Sequence, residues 1–149
     1  MNKFVENGDV VRIKIGLKEY AYARVLENPL CAFYDYKTSD FTEIDVIIQK
    51  PILFKVWIAN YSYKEDNWEI VGNRPLDAIT SEIPWFFKKD TITKKLSLYR
   101  NGEERKATLQ EVEGLECAAV WNPEHIEDRL RDHFAGRENK WVRSLSPDS

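Results

Sequence analysis

Apolar and polar positions alternate through much of the N-terminal half, and a period of two is the mark of strands with one buried and one wet face. After a Gly8-Asp9 turn, Val11, Ile13 and Ile15 alternate with Arg12 and Lys14. A second strand over 20–26 sets Tyr20, Tyr22 and Arg24 on one face and Ala21, Ala23 and Val25 on the other. Glu27-Asn28-Pro29 breaks it, and a third strand is expected over 30–36. Ile44, Val46 and Ile48 repeat at strand spacing within 42–49. Ile52, Phe54, Val56 and Ile58 then make the cleanest apolar face in the chain. Leu53 and Trp57 back that face, so this strand is expected to be covered on both sides and central in its sheet. Residues 60–67 read as a polar and aromatic loop, 68–71 as a short strand ending at Gly72-Asn73, and 75–84 as irregular. Trp85-Phe86-Phe87 begin another strand.

Segments 96–100 and 103–107 flank Asn101-Gly102. Asn-Gly suits the two positive φ angles of a type I′ turn, so this stretch predicts a β-hairpin. The period then changes. Thr108 and Glu111 have capping-box spacing ahead of Gly114, which predicts a short helix. One more short strand is expected over 118–121. Asn122-Pro123 reads as a helix start, with Asn as the cap and Pro at the first helical position, where no N–H is needed. Ile126, Leu130 and Phe134 recur every four residues as one apolar stripe, and Gly136 closes the helix. Trp141, Val142 and Leu145 can dock an otherwise polar tail. No repeat or linker divides the chain. The pattern predicts a single α+β domain over 1–149. Its core is a strongly curved antiparallel β-sheet of SH3-like barrel character, with a few short helices, the longest near the C-terminus.

Composition changes this picture little. With 149 residues and 43% apolar content, the chain has the length and the material for one core. An aromatic share of 13% favours strands and large packed contacts over a plain helical bundle. The net charge of −3 argues mildly against nucleic-acid binding, which draws on a basic excess. Cys31 and Cys117 sit in apolar settings, outside any CxxC or Cys/His cluster, and read as two buried free thiols. Residues 1–6 hold no apolar run of a secretory leader. The most apolar stretch, 45–59, is interrupted by Gln49, Lys50, Pro51 and Lys55, so no membrane span is expected. The compartment read from these features is the cytoplasm.

Reaction chemistry is sparse. His125 and His133 stand on one predicted helix, about 12 Å apart along its axis at roughly 1.5 Å per residue, too far to share an ion. There is no GxSxG, no glycine-rich phosphate loop and no cysteine with a legible histidine partner. No catalytic residue, metal ligand or cofactor is therefore assigned. Two charged features remain. Lys88, Lys89, Lys94, Lys95, Arg100, Arg105 and Lys106 cluster near Phe86-Phe87. Such a surface over 88–106 suits nucleic acid, or else it is a set of basic residues guarding an edge hairpin against aggregation. Glu124, Asp128 and Asp132 fall at i, i+4 and i+8, opposite the apolar stripe. Like charges at that spacing cost about 0.2–0.5 kcal/mol per pair. Asp132 also lies toward the helix C-terminus, where the dipole disfavours anions. Arg131 offsets part of this by reaching Glu127 and Asp128. The stripe reads as a solubilising face or as a surface for a basic partner.

Several short segments, taken in order, carry a resemblance. They are Gly8-Asp9-Val10-Val11-Arg12-Ile13, Tyr20-Ala21-Tyr22-Ala23-Arg24-Val25-Leu26, Phe33-Tyr34-Asp35, Lys50-Pro51-Ile52-Leu53-Phe54 and Trp68-Glu69-Ile70-Val71-Gly72. Gly114-Leu115-Glu116 and Asp132-His133-Phe134 extend it weakly. In these residues the chain resembles the immunity protein 26 family of bacterial polymorphic toxin and contact-dependent growth inhibition systems. The resemblance implies a strand-rich α+β protein encoded beside a toxin. Such a protein is not an enzyme. It binds the cognate toxin's C-terminal effector domain and occludes its active or substrate site. No residue-level binding motif comes with the family. For a nuclease toxin with a basic cleft, Glu124, Asp128 and Asp132 would speed association. Trp85, Trp121 or Trp141 would serve as anchors, although each equally suits a core. The alternative is an SH3-like nucleic-acid-binding module using the 88–106 hairpin, and a third reading is an enzyme with an unrecognised site.

Overall fold

The opening alternation forms β1 (Asp9–Gly16), β2 (Glu19–Val25) and β3 (Leu30–Thr38). The computed structural model describes residues 5–148, so of the segment 1–6, where no leader is expected, 1–4 lie outside the described residues. β4 (Ile52–Ile58) and β5 (Trp68–Asn73) follow, then β6 (Phe86–Lys89), β7 (Leu96–Arg100), β8 (Glu103–Ala107), β9 (Glu116–Cys117) and β10 (Val120–Trp121). The helices are short: α1 (Ile44–Ile47), α2 (Ala78–Ser81), α3 (Leu109–Val112), α4 (Pro123–Phe134) and α5 (Lys140–Ser144). A 3-10 helix, Asn60–Lys64, occupies the loop expected over 60–67.

Six strands pair in the order β10-β4-β3-β2-β1-β5. All pairings are antiparallel except that of β10 with β4. Register shifts interrupt β1–β5, β2–β3 and β3–β4. Bulges bend and twist a strand pair, and this sheet curls into a half-barrel. The shift in β3–β4 pairs Phe33 with Phe54 but Tyr34 with Ile52, leaving Leu53 as the extra residue. Ile52 therefore turns to the outer face, while Leu53 joins Phe54 on the main core. This corrects the reading that set Ile52 beside Phe54 with Leu53 behind them.

The concave face carries Val11, Ile13, Ile15, Ala23, Val25, Phe33, Val56, Ile58 and Trp68. α4 closes the half-barrel with Ile126 and Leu130, both fully buried. Burying one such side chain contributes about 1.5–3 kcal/mol, enough to seat a twelve-residue helix by its stripe alone. Pro123 is at its first position as expected, but Asn122 makes no side-chain capping bond.

Three expectations change. Residues 42–49 hold a helical turn, α1, rather than a strand. Ile44, Ile47 and Ile48 pack together on the outer cluster of Val10, Tyr22 and Tyr34, whereas Val46 is exposed. Their i, i+3, i+4 spacing fits a helix as well as alternation fits a strand. Residues 75–84 contain α2, started by a capping box between Asp77 and Thr80. Finally, the strands do not form a single sheet. β8-β7-β6-β9 make a second one, whose hairpin turns at Asn101 and Gly102 with φ of 48° and 87°. The chain crosses from one sheet to the other within a few residues: Glu116 pairs with Phe86, and Val120 pairs with Trp57. Cys31 is buried and Cys117 half-buried, and both are free thiols. Burial pushes the Cys31 thiol up to about 12. No described helix is long and apolar enough to cross a membrane.

Candidate functional site

The acidic stripe of α4 is not uniformly exposed. Glu124 is exposed and makes no side-chain bond among the described residues. Asp128 and Asp132 are half-buried and engaged. The Trp141 indole N–H donates to Asp128 Oδ2 at 3.2 Å, and Arg131 pairs with the other oxygen. Asn139 Nδ2 donates to Asp132 at 2.9 Å, with Arg137 Nε at 3.4 Å. Asn139 is itself buried and caps α5, accepting from the N–H groups of Trp141 and Val142. Trp141 completes the junction by stacking on His125, centroids 3.8 Å apart. Burial raises the Asp128 carboxyl, but the Trp141 and Arg131 hydrogen bonds outweigh it and hold the group below its ordinary value. Two of the three acids therefore fasten α5 to α4, so the like-charge cost of the stripe is offset by Trp141 and Asn139 as well as by Arg131. Arg131 bonds Asp128 and the Ile15 carbonyl, not Glu127. Glu127 instead accepts from Asn67 Nδ2 and Trp68 Nε1, both at 3.0 Å, tying α4 to β5.

The charge of Glu124 acts on a residue distant in sequence. Tyr61, on the 3-10 helix, is exposed. Its phenol is held above the ordinary value, first by partial desolvation and then by the negative charges of Glu124 and Glu65. Val120 on β10 is 60% exposed and lies beside Trp57 on the outer face of the sheet. Asn60, the chain neighbour of Tyr61, meets Asn28 at 3.5 Å, and Asn28 lines a groove of about 330 Å³ between the two sheets. The groove holds Glu27, Asn28, Trp57, Phe86 and Tyr99. Tyr61, Glu65 and Glu27 were not singled out by sequence. The one available signal was the density of aromatic and acidic residues in 60–67, and nothing in the linear chain relates that loop to Glu124.

Trp85, immediately before β6 rather than its first residue, is half-buried against the cluster of Phe87, Leu98 and Val112, with the Arg100 guanidinium 4.4 Å over its ring. Trp121 is 4% exposed and belongs to the main core, so it is no anchor. The basic hairpin is interleaved with acids. Lys88 pairs with Glu104 at 3.1 Å and lies over Tyr99, and Arg105 pairs with Glu111 at 3.1 Å. His133 Nε2 is 2.8 Å from Asp35 Oδ1, far from His125 and its stack on Trp141. Among the described residues, no group of three or more His, Cys, Asp or Glu is placed to hold a metal ion.

The resembling segments meet at one buried guanidinium. Arg24 is 2% exposed. It donates to the Gly8 carbonyl at 3.1 Å, the Tyr34 hydroxyl at 3.2 Å, and the Arg74 and Pro75 carbonyls at 2.7 and 2.8 Å. A Cβ at Gly8 would stand 2.3 Å from the Arg74 carbonyl oxygen, and its φ of +93° favours glycine again. These residues lock β1, β2, β3 and the segment after β5, which is a structural task. No curated protein and no solved structure matches the chain. The sequence model of the family described as immunity protein 26 matches residues 6–98, from the β1 turn into β7, and includes Gly8, Arg24, Tyr34 and Arg74. By this match over more than half of its length, the chain belongs to the immunity protein 26 family.

Proposed function

We propose that this chain acts in the cytoplasm by binding the effector domain of a cognate toxin, of the polymorphic or contact-dependent kind, and occluding its active or substrate site without catalysing a reaction. The observation that carries the proposal is the family match over 6–98. The physical case for a contact face rests on the exposed Tyr61 ring and the exposed carboxylates of Glu124 and Glu65, whose negative charges both act on its phenol. A surface of that kind suits a basic cleft, such as that of a nuclease. Asp128 and Asp132 contribute their field to the same helix while holding α5, and Trp85 under Arg100 is a separate candidate contact beside the second sheet.

The test is co-expression with the toxin domain encoded in the adjacent reading frame. Growth is rescued by the wild-type chain, and the purified pair forms a complex. Glu124→Gln then slows association about twofold at low salt, from an interaction of about 0.4 kcal/mol at roughly 10 Å in water. It also flattens the salt dependence and leaves folding unchanged. A chain that neither rescues growth nor binds the toxin domain overturns the proposal.

A further inference from the structure

The groove between the two sheets has an unusual lining. Trp57 packs on Phe86 with centroids 4.7 Å apart and meets Tyr99 edge-on at 5.7 Å, so the wall is aromatic. Glu27, Asn28 and Asn101 supply polar groups at its rim. No lysine or arginine lines it. Glu27 is exposed, and its carboxylate makes no hydrogen bond or ion pair among the described residues. Neighbouring aromatic rings already hold cations of the chain itself: Lys88 Nζ is 4.3 Å from the Tyr99 ring centre and Arg100 is 4.4 Å from that of Trp85. Trp57 is half-buried and carries no such cation among the described residues. The larger cavity beside α5 is different in kind. Its cations Arg129, His133, Arg137 and Arg143 are already matched with Glu116, Asp35, Asp132 and Glu138.

A ring face with an unpaired carboxylate at its rim is complementary to a cation, which gains from the ring quadrupole and from the charge together. We infer that this groove receives one arginine or lysine side chain projecting from the toxin, as the specific anchor of the complex. The inference rests on the toxin-binding function proposed above. A volume of about 330 Å³ is at the small end of ligand sites and suits a side chain better than a whole metabolite. Asn28 of the groove also meets Asn60, the chain neighbour of the exposed Tyr61, at 3.5 Å, so a partner seated at Tyr61 can reach it.

Titration of the full chain against the toxin domain from the adjacent reading frame decides the matter. Glu27→Gln weakens binding about tenfold, the loss of one charged hydrogen bond. Glu27→Lys weakens it by about a hundredfold or more, because it adds repulsion. Trp57→Leu weakens it about fivefold, whereas Trp57→Phe, which keeps a ring face, stays near the parent. Glu27 has no structural bond to lose, so its variants fold and carry the decision. If the parent binds and both Glu27 variants bind equally well, the groove is not the anchor and the toxin-binding reading stands. Loss of binding in Trp57→Leu alone, with Glu27→Gln unchanged or tighter, identifies an apolar occupant and overturns the cation. A parent chain that does not bind overturns both readings.

Discussion

Removing the carboxylate of Glu116 is expected to cost more stability than removing any surface charge of this chain. Arg129 on α4 bonds Glu116 on β9 through both oxygens, at 2.9 and 2.8 Å, and its side chain is only 11% exposed against 29% for Glu116. The guanidinium also lies 3.5 Å above the Phe54 ring and 5.0 Å from Trp121. One side chain thus joins the helix, the six-stranded sheet and the crossing segment between the sheets. Breaking a buried pair from one side costs about 3–5 kcal/mol because a charge stays buried without compensation. Glu116 is partly solvated, and Gln keeps one acceptor, so Glu116→Gln is expected to cost about 2–3 kcal/mol. That corresponds to about 5–10 °C in Tm for a chain of this size. In urea the midpoint falls by about 1–2 M. Tryptophan fluorescence follows the unfolding, since Trp121 and Trp68 are both in the main core. Arg129→Met with Glu116→Gln is expected to cost less than Glu116→Gln alone, because no charge is stranded and the methionine packs on Phe54. A Glu116→Gln midpoint within about 0.5 kcal/mol of the parent, the ordinary range for a surface change, refutes the clamp.

Arg24→Met and Arg24→Lys are both expected to cost about 3 kcal/mol or more, since neither restores bonds to three carbonyls and a hydroxyl; an equilibrium melt in which lysine behaves as the parent contradicts this. The Asp128 carboxyl is depressed in the folded chain, so its contribution is complete above the ordinary carboxylate range near roughly pH 4 and is lost as pH falls below it. Amide exchange in α5, once corrected for intrinsic rates, is therefore expected to speed up as pH falls below about 4, and Asp128→Asn or Trp141→Ala releases α5 while the half-barrel stays protected. In the native chain Cys31 resists a thiol reagent and Cys117 reacts slowly, its thiol raised by burial and by Glu116, and reductant leaves the melting curve unchanged.

The sequence by itself determined the elements whose pattern is local. Alternation placed β1 to β3, Asn101-Gly102 placed the β7–β8 hairpin, and Ile126, Leu130 and Phe134 placed α4 and its buried face. Ordered short motifs were enough for the family, and three of their residues, Gly8, Arg24 and Tyr34, meet where the first three strands are locked together. Ile44, Ile47 and Ile48 mark the limit of that reading: a short apolar run fits two periods, and the outer cluster around Val10 and Tyr34 selected the helical one. Tertiary structure alone decided what each acid of α4 does. Spacing made Glu124, Asp128 and Asp132 equivalent, but the returning tail brought Trp141 and Asn139 to two of them and left Glu124 exposed, its charge acting on Tyr61. It likewise decided that Trp57, Tyr99 and Glu27 share a groove. The physical reason is the same in both cases. Local patterns follow from backbone geometry and the burial of one face, whereas the partner of a charge or a ring is set by which distant segment the curled sheet carries to it.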